Sequence, residues 1–548
     1  SAADSRRLAL KTLGHIDGTT NALADRISQE ASGNPLFVQE LVRHVQRQSP
    51  SPPSPGPGPP AATLSLEGVL LERVRRLPEP ACRLLELIAV AGRPLAETIA
   101  CRAAGLGPES WGILTLLRSE RLIRGTGTAL SEKLEIYHDR IRETVVGNLA
   151  QQARRDCHRR LAEALEFTGE YDPEALAVHY EASGETVRAG ELYAAAAADA
   201  AAALAFDRAA KLYELALRLL PEGDPRTRDF RLGLAEALAN AGRGRDAARE
   251  FLAVARSSGP AEALELQRLS AMHFLFSGHI DAGLEQLESV LRRLGMRLSG
   301  SAWRVLASLL LERAKLRVRG LRYRERDAST VPPEMLQKTD TCWSVAAGLG
   351  IVDPIQAAVF TTRGLRLALR AGEPHRLARF LAIEAAQAAI SGPARPGRAR
   401  KLLDAARAAA RNAPGPQTEA IVRLGHAAVD WLFGNWTPAA KVCEEAYEVL
   451  RTRCTGVWWE LNLAQTVNLC AYHFTGDLPR YDRSRRDIIQ SGRNRGDLYA
   501  QTMAGAMILP ALAADDPDAA EREVRDLVGR WSQSGFYVQH FYCMYSMI

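Results

Sequence analysis

From about residue 155 onward the sequence repeats one plan, and that plan narrows the possible folds more than any other feature of the chain. A helix of small and aliphatic residues is followed by a glycine-containing turn and a second helix with small residues near its start. In ALANAGRGRDAAREFLAVA, Ala235, Leu238, Ala239 and Gly242 share one helical face, and Ala247, Phe251 and Ala255 mark the next helix. The turn glycines recur as Gly242 and Gly278, then as Gly434 and Gly476, at roughly the 34 to 47 residue spacing of helical solenoids. A single helix pair cannot bury its own apolar face, whereas stacked pairs share one continuous core. The chain is therefore expected to be all-α, and strand signals are scarce outside one short segment.

An alanine four residues before an aromatic recurs as Ala189 with Tyr193 and Ala209 with Tyr213. This spacing resembles the small-knob, large-filler contact of tetratricopeptide-type helix pairs. Residues 151–548 are expected to form a TPR-like α-solenoid superhelix. Upstream, residues 66–77, 80–91, 94–104 and 108–120 read as helices, the third ended by Gly105 and the fourth opened by Pro108. LIRGTGTALSEKLEIYHD then reads as strand, turn, strand, so residues 61–150 have the outline of a winged helix. Residues 49–60, SPSPPSPGPGPP, lack the donors a helix needs and read as an extended linker. They set residues 1–48 apart as a separate N-terminal piece.

At 548 residues, 47% hydrophobic and 24% charged, the chain has the composition of several globular domains. No run approaches the roughly 20 apolar residues of a membrane-spanning helix, and residues 192–206 are interrupted by Asp199, so a soluble protein without membrane partners is expected. The eight cysteines are scattered without metal-ligand spacing and fit thiols in a reducing cytoplasm. A formal charge of +6 is a weak excess that does not call for nucleic acid. The chain opens on Ser1 and closes on the aromatic segment SGFYVQHFYCMYSMI, so a fragment of a longer polypeptide with an exposed apolar C-terminal face is expected.

No GxxxxGK[ST] loop, kinase signature, HExxH or GxSxG is present, so neither catalytic nor metal-binding residues are assigned and the chain by itself is not expected to be an enzyme. His179, His273, His279 and His540 are far apart in sequence and share no signature. The basic run RAKLRVRGLRYRER, residues 313–326, is interleaved with acids and reads as a solvated helix face and connector, with a phosphate-binding or acidic-partner patch as the alternative. Trp431, Trp436, Trp458 and Trp459 read as core between helices, with one of them able to line a groove. Cys443 and Cys454 read as two buried thiols.

Two motifs carry a resemblance. ASGNPLFVQELVRHV, residues 31–45, resembles the segment that closes the nucleotide-binding module of the signal-transduction ATPases with numerous domains, the STAND class. The resemblance implies that Gly33 allows a close backbone approach, Asn34 caps, Pro35 packs on the adenine, and Leu36 and Phe37 pack the helix that follows. IYHDRIRETVV, residues 136–146, resembles the apolar-His-Asp motif that ends the winged helix of such switches. That likeness implies contact of His138 with the β-phosphate of ADP, with Asp139 orienting it or capping the next helix.

More broadly, the stretch from HDRIRETVVGNLAQQARRDCHRRLAEALE through LYAAAAADAAAALAFDRAAKLYELAL, and LRVRGLRYRERDASTVPPEMLQKTDTCWSVAAGLGIVDP, resemble the ATPase-to-repeat junction and repeats of large bacterial serine/threonine kinases carrying an AAA-type ATPase and tetratricopeptide repeats. The resemblance implies a regulatory and protein-interaction segment whose repeats receive a protein or small-ligand signal on their concave face. It further implies partner ATPase and kinase domains upstream, and ATP or ADP with Mg as cofactors of the longer protein rather than of these residues alone. The alternative is a transcriptional regulator that binds DNA through the winged helix or a further C-terminal domain. Residues 108–120 offer mainly Arg118 for that role, beside Glu109 and Glu120, which disfavours it.

Overall fold

The computed structural model describes residues 2–14, 18–48, 64–107, 110–126, 132–169, 171–350, 352–390, 392, 396–413, 415–507, 515–532 and 535–547. The expected linker over residues 49–60, the helix-opening Pro108 and the turn over residues 127–131 lie outside these. The chain forms two compact units, Ser1–Ala196 and Ala197–Ile548.

The first unit opens with three helices, Ala2–Leu13, Gly18–Ala31 and Pro35–Gln48. Helices Leu66–Arg75, Glu79–Ala91, Glu97–Ala104 and Ser110–Ser119 follow, and then strands β2 (Ile123–Thr126) and β3 (Lys133–Ile136). Ser65 caps the first of these helices by accepting from Gly68 N, and Gly92 and Gly105 end the second and third in the left-handed conformation. One expectation is corrected here. Leu95 and Ala96, read as the start of a helix, form a short strand β1 that pairs antiparallel with β3, so the ribbon is a three-stranded sheet in the order β1-β3-β2. Leu95 lies opposite Leu134 and both are buried, so the apolar face of the added strand prevails over the helical spacing around it.

The three N-terminal helices share one core with the segment downstream: Ile27, Phe37 and Leu41 are buried in the same cluster as Leu70, Leu84 and Leu134. Polar contacts reinforce the junction. Arg26 Nε donates to Leu64 O (3.3 Å), Leu66 N donates to Glu30 Oε2 (3.2 Å), and Arg73 Nη1 donates to Glu40 Oε2 (2.7 Å). The boundary expected near residue 150 falls inside this unit. Helix Gln151–Thr168 places Cys157, Leu161 and Ala164 in the same core, because its apolar stripe meets Glu79–Ala91 and Glu97–Ala104.

The second unit is an α-solenoid of TPR-like helix pairs, among them Thr227–Asn240 with Gly244–Ala255, Pro260–Phe276 with Ile280–Arg293, Pro416–Leu432 with Trp436–Arg453, and Trp458–Thr475 with Leu478–Arg495. One turn joins these pairs. Gly242, Gly278, Gly434 and Gly476 all adopt positive φ, and the next residue's N–H reaches back to the helix: Arg243 N to Leu238 O (2.9 Å), His279 N to Phe274 O (2.8 Å), Asn435 N to Asp430 O (2.8 Å) and Asp477 N to Tyr472 O (3.0 Å). The same bond recurs from Ala205 N to Ala200 O (2.8 Å), with Leu204 holding φ +60 where the other turns have glycine.

Early and late repeats of this unit meet along a seam. Gly456 N donates to Asn240 Oδ1 (2.5 Å), Leu498 N donates to Ser277 O (3.1 Å), and Ser532 Oγ donates to the Asp281 carboxylate (3.3 Å). The basic run over residues 313–326 comprises the end of helix Ala302–Arg319 and a connector tied back to the repeats: Arg319 Nη2 donates to Leu369 O (3.0 Å) and Arg326 N to Gly372 O (3.0 Å). Phe536, Phe541, Met544 and Tyr545 are exposed, so an apolar surface does lie near residues 536–545. No helix among the described residues is long and apolar enough to cross a membrane.

Candidate functional site

The two motifs singled out in the sequence meet in the first unit. Ser32 and Gly33 both take positive φ (47° and 85°), which turns the chain sharply out of Gly18–Ala31. Asn34 then caps the next helix, its Oδ1 accepting from Leu36 N at 3.0 Å, as expected for that residue. Pro35 opens the helix, where a missing N–H costs nothing, and its ring is exposed. Phe37, one turn in, is buried, and its ring packs edge-on against His138 with centroids 4.6 Å apart.

His138 is half-buried and is itself the cap of Asp139–Gly147: its Nδ1 accepts from Arg140 N at 3.2 Å. This corrects the expectation for Asp139, which is exposed in the first turn and adds negative charge at the helix start without capping it. Capping through Nδ1 requires the unprotonated face of the ring there, which leaves Nε2 to carry the proton. The imidazole is thereby fixed as a donor at Nε2, held on one side by the backbone and on another by Phe37. Pro35 thus presents an exposed apolar ring on one motif, and His138 a ring donor on the other.

The remaining residues considered from sequence are not gathered into a site. His179 pairs with His158, Nδ1 to Nδ1 at 3.0 Å, and burial first, then His158, lowers its pKa to about 4. His273 is buried against Phe251, and Ser277 Oγ lies 3.2 Å from His279 Nδ1. Arg118, on which a DNA-reading alternative rests, donates to both Glu132 (2.7 Å) and Glu97 (3.2 Å). Both carboxylates offset its charge. Cys443 is buried, with its thiol pushed up to about 12, and Cys454 is half-buried; both are free thiols. Trp343 and Trp459 meet edge to face at 5.4 Å, and Trp436 stacks on Phe474 at 4.9 Å.

Sequence reasoning missed an ionic cluster inside the second unit. Asp340, on Pro333–Leu349, accepts from Arg376 Nε and Nη2 (2.9 and 2.7 Å) and from Arg379 Nη2 (2.5 Å), both on Pro374–Ala389. Arg379 also lies over the Trp343 indole at 4.4 Å. The buried Arg268 donates to Ser344 Oγ at 2.5 Å, and the buried Glu460 senses Arg379 through space. The signal available was the spacing of Asp340 to Trp343 and of Arg376 to Arg379, i to i+3 on two helices, which places each pair on one face. Because Asp340 is saturated by its arginines, the cluster pins the helices to one another rather than receiving a ligand.

A solved structure of a signal transduction ATPase with numerous domains (STAND) protein with a tetratricopeptide repeat sensor, from Pyrococcus horikoshii, is similar to this chain, with 11% identity and a TM-score of 0.39, over 100% of this chain and 71% of the other. No protein-family model matches the chain. No curated protein matches it.

Proposed function

We propose that this chain is the regulatory and interaction segment of a STAND-type signalling ATPase in which nucleotide state and a signal on the repeats are read together. The observation that carries the reading is the Phe37 to His138 contact, which brings the GNPLF and YHD motifs into one place although a hundred residues separate them. Pro35 receives the base, Gly33 lets the backbone come close, and the Nε2–H of His138 donates to a phosphate oxygen; Asp139 adds charge beside that contact without touching the ring. Nucleotide with Mg, bound mainly by ATPase residues outside this chain, supplies the charge that this donor holds.

Residues 61–150 act as the winged helix that relays this contact, and the α-solenoid receives a protein or small-molecule signal. Input on the repeats shifts the balance between an ADP-held closed form and an open form, and an attached serine/threonine kinase is the output. The chain itself carries no catalysis in this scheme. The test is His138→Ala in the longer protein that contains the phosphate-binding loop. Weaker ADP binding together with raised kinase output is expected; unchanged ADP affinity and unchanged output would exclude the role of His138.

A further inference from the structure

A cavity of about 710 Å³ opens within the second unit at the seam between its early and late repeats. Phe206, Asp207 and Asn240 line it from the early side, and Tyr447, Trp458 and Arg495 from the late side. Its surface mixes aromatic and aliphatic walls with side-chain amides, hydroxyls and the charged groups of Asp207, Arg451 and Arg495, the composition of a site for a small polar molecule.

Arg495 is the group in it that points to a ligand. Its guanidinium carbon sits 4.4 Å over the Trp458 indole, and Nη1 donates to Ser491 Oγ. Its Nε is buried without a hydrogen-bond partner. Among the described residues no carboxylate lies within ion-pair distance of it, and Asp497 and Asp207 favour its charge only through space. The nearest acid in sequence, Asp497, is already engaged by Trp458 Nε1 (3.1 Å) and Ala500 N (2.9 Å). Burial disfavours the charged form of Arg495, yet a guanidinium stays protonated in a protein. A half-buried, oriented cation with one N–H unsatisfied and only through-space compensation is costly in the free protein, and an anion offsets that cost. The planar fork, already fixed by stacking and by Ser491, suits a carboxylate or a phosphate.

We propose that this cavity binds a small organic anion, a carboxylate or a phosphate monoester with a compact apolar body, anchored by Arg495. The inference rests on the sensor reading above and gives its signal a site and a chemical class. The two walls come from opposite sides of the seam where Gly456 N donates to Asn240 Oδ1 (2.5 Å), so a bound anion makes its full set of contacts only when the seam is closed. Binding therefore favours the closed seam over any open one.

The test uses the whole chain with phenyl phosphate and benzoate as probes, and phenol as the uncharged control, in calorimetric titrations. Cys454 lines the same cavity and is half-buried, so its alkylation rate, followed by peptide mass mapping, reports occupancy of this site. At least one of the two anions is expected to bind, to slow alkylation of Cys454, and to be weakened about tenfold or more by Arg495→Gln, with Arg495→Lys in between. Phosphate and carboxylate ligands are told apart by which probe binds more tightly. Absence of binding by both anions up to about 10 mM overturns the proposal, as does binding that leaves Cys454 unprotected or equals that of phenol. Should Arg495→Gln fail to fold, protection of Cys454 in the unmodified chain still decides the matter. Failure here leaves the nucleotide reading standing, because that is judged on ADP affinity through His138.

Discussion

Gly242 lies against the indole of Trp458: a Cβ added at Gly242 would come within 2.6 Å of the ring, and the backbone there holds φ at +76°. Two independent constraints thus converge on one residue, a left-handed turn and a close approach across the seam. Gly242→Ala is expected to destabilise the second unit by about 2 to 4 kcal/mol, combining the left-handed penalty with overpacking. Gly295→Ala is the control, since Gly295 also has positive φ (71°) but nothing within 4 Å of an added Cβ. It should lose only the backbone part, and equal losses in urea unfolding would show that the Trp458 contact contributes nothing.

Removing Asp340 leaves Arg376 and Arg379 facing each other without their shared acceptor. Asp340→Ala is expected to cost about 2 to 3 kcal/mol, because the largely covered Arg379 loses its carboxylate while Arg376 keeps its pair with Glu373 (3.1 Å). Glu448→Ala, which breaks the exposed pair of Arg451 with Glu448, should cost less than about 1 kcal/mol. Denaturant midpoints of the two variants, compared with the unmodified chain, provide the measurement.

Glu460 confers a pH dependence whose sign is opposite to that of a paired carboxylate. Burial raises its pKa from 4.5 to about 7, with Arg379 offsetting part of the rise. The folded chain therefore holds a proton that the unfolded chain has released, and stability falls as pH rises through the window from about 4.5 to about 7. Glu460→Gln removes this slope. Relative to the unmodified chain it should gain on the order of 2 to 3 kcal/mol above that window and little below it, read as unfolding free energy at pH 4 and pH 8.

Capping and ligand contact by His138 can be separated. His138→Ala is expected to cost about 1 kcal/mol in the first unit, whereas His138→Asn, which supplies a cap oxygen, should restore most of that loss. In the longer protein both variants should lose ADP affinity, because neither presents the Nε2–H. Recovery of ADP affinity with asparagine would assign the histidine to capping alone.

Much of the solenoid was legible in the chain because its determinants are local. The turn glycines, the small-residue helix starts and the alanine-aromatic spacing act within a few residues, and a helix pair is decided by its own periodicity and caps. Asn34 as a cap was legible for the same reason. Leu95 and Ala96 were not, since a two-residue strand exists only through its pairing with β3, and neither was His138 as the cap in place of Asp139, because histidine is not among the residues that cap by preference.

The amino-acid sequence by itself determined that the chain is helical and where its helix pairs turn. Tertiary structure alone decided that Phe37 meets His138, that Asp340 is shared by Arg376 and Arg379, and that Gly242 faces Trp458. The reason is physical. Helix period and turn geometry are properties of neighbouring residues, whereas these contacts join residues on separate elements that only tertiary packing brings together, and for Gly242 and Trp458 that packing is the stacking of many successive helices, each adding a small rotation.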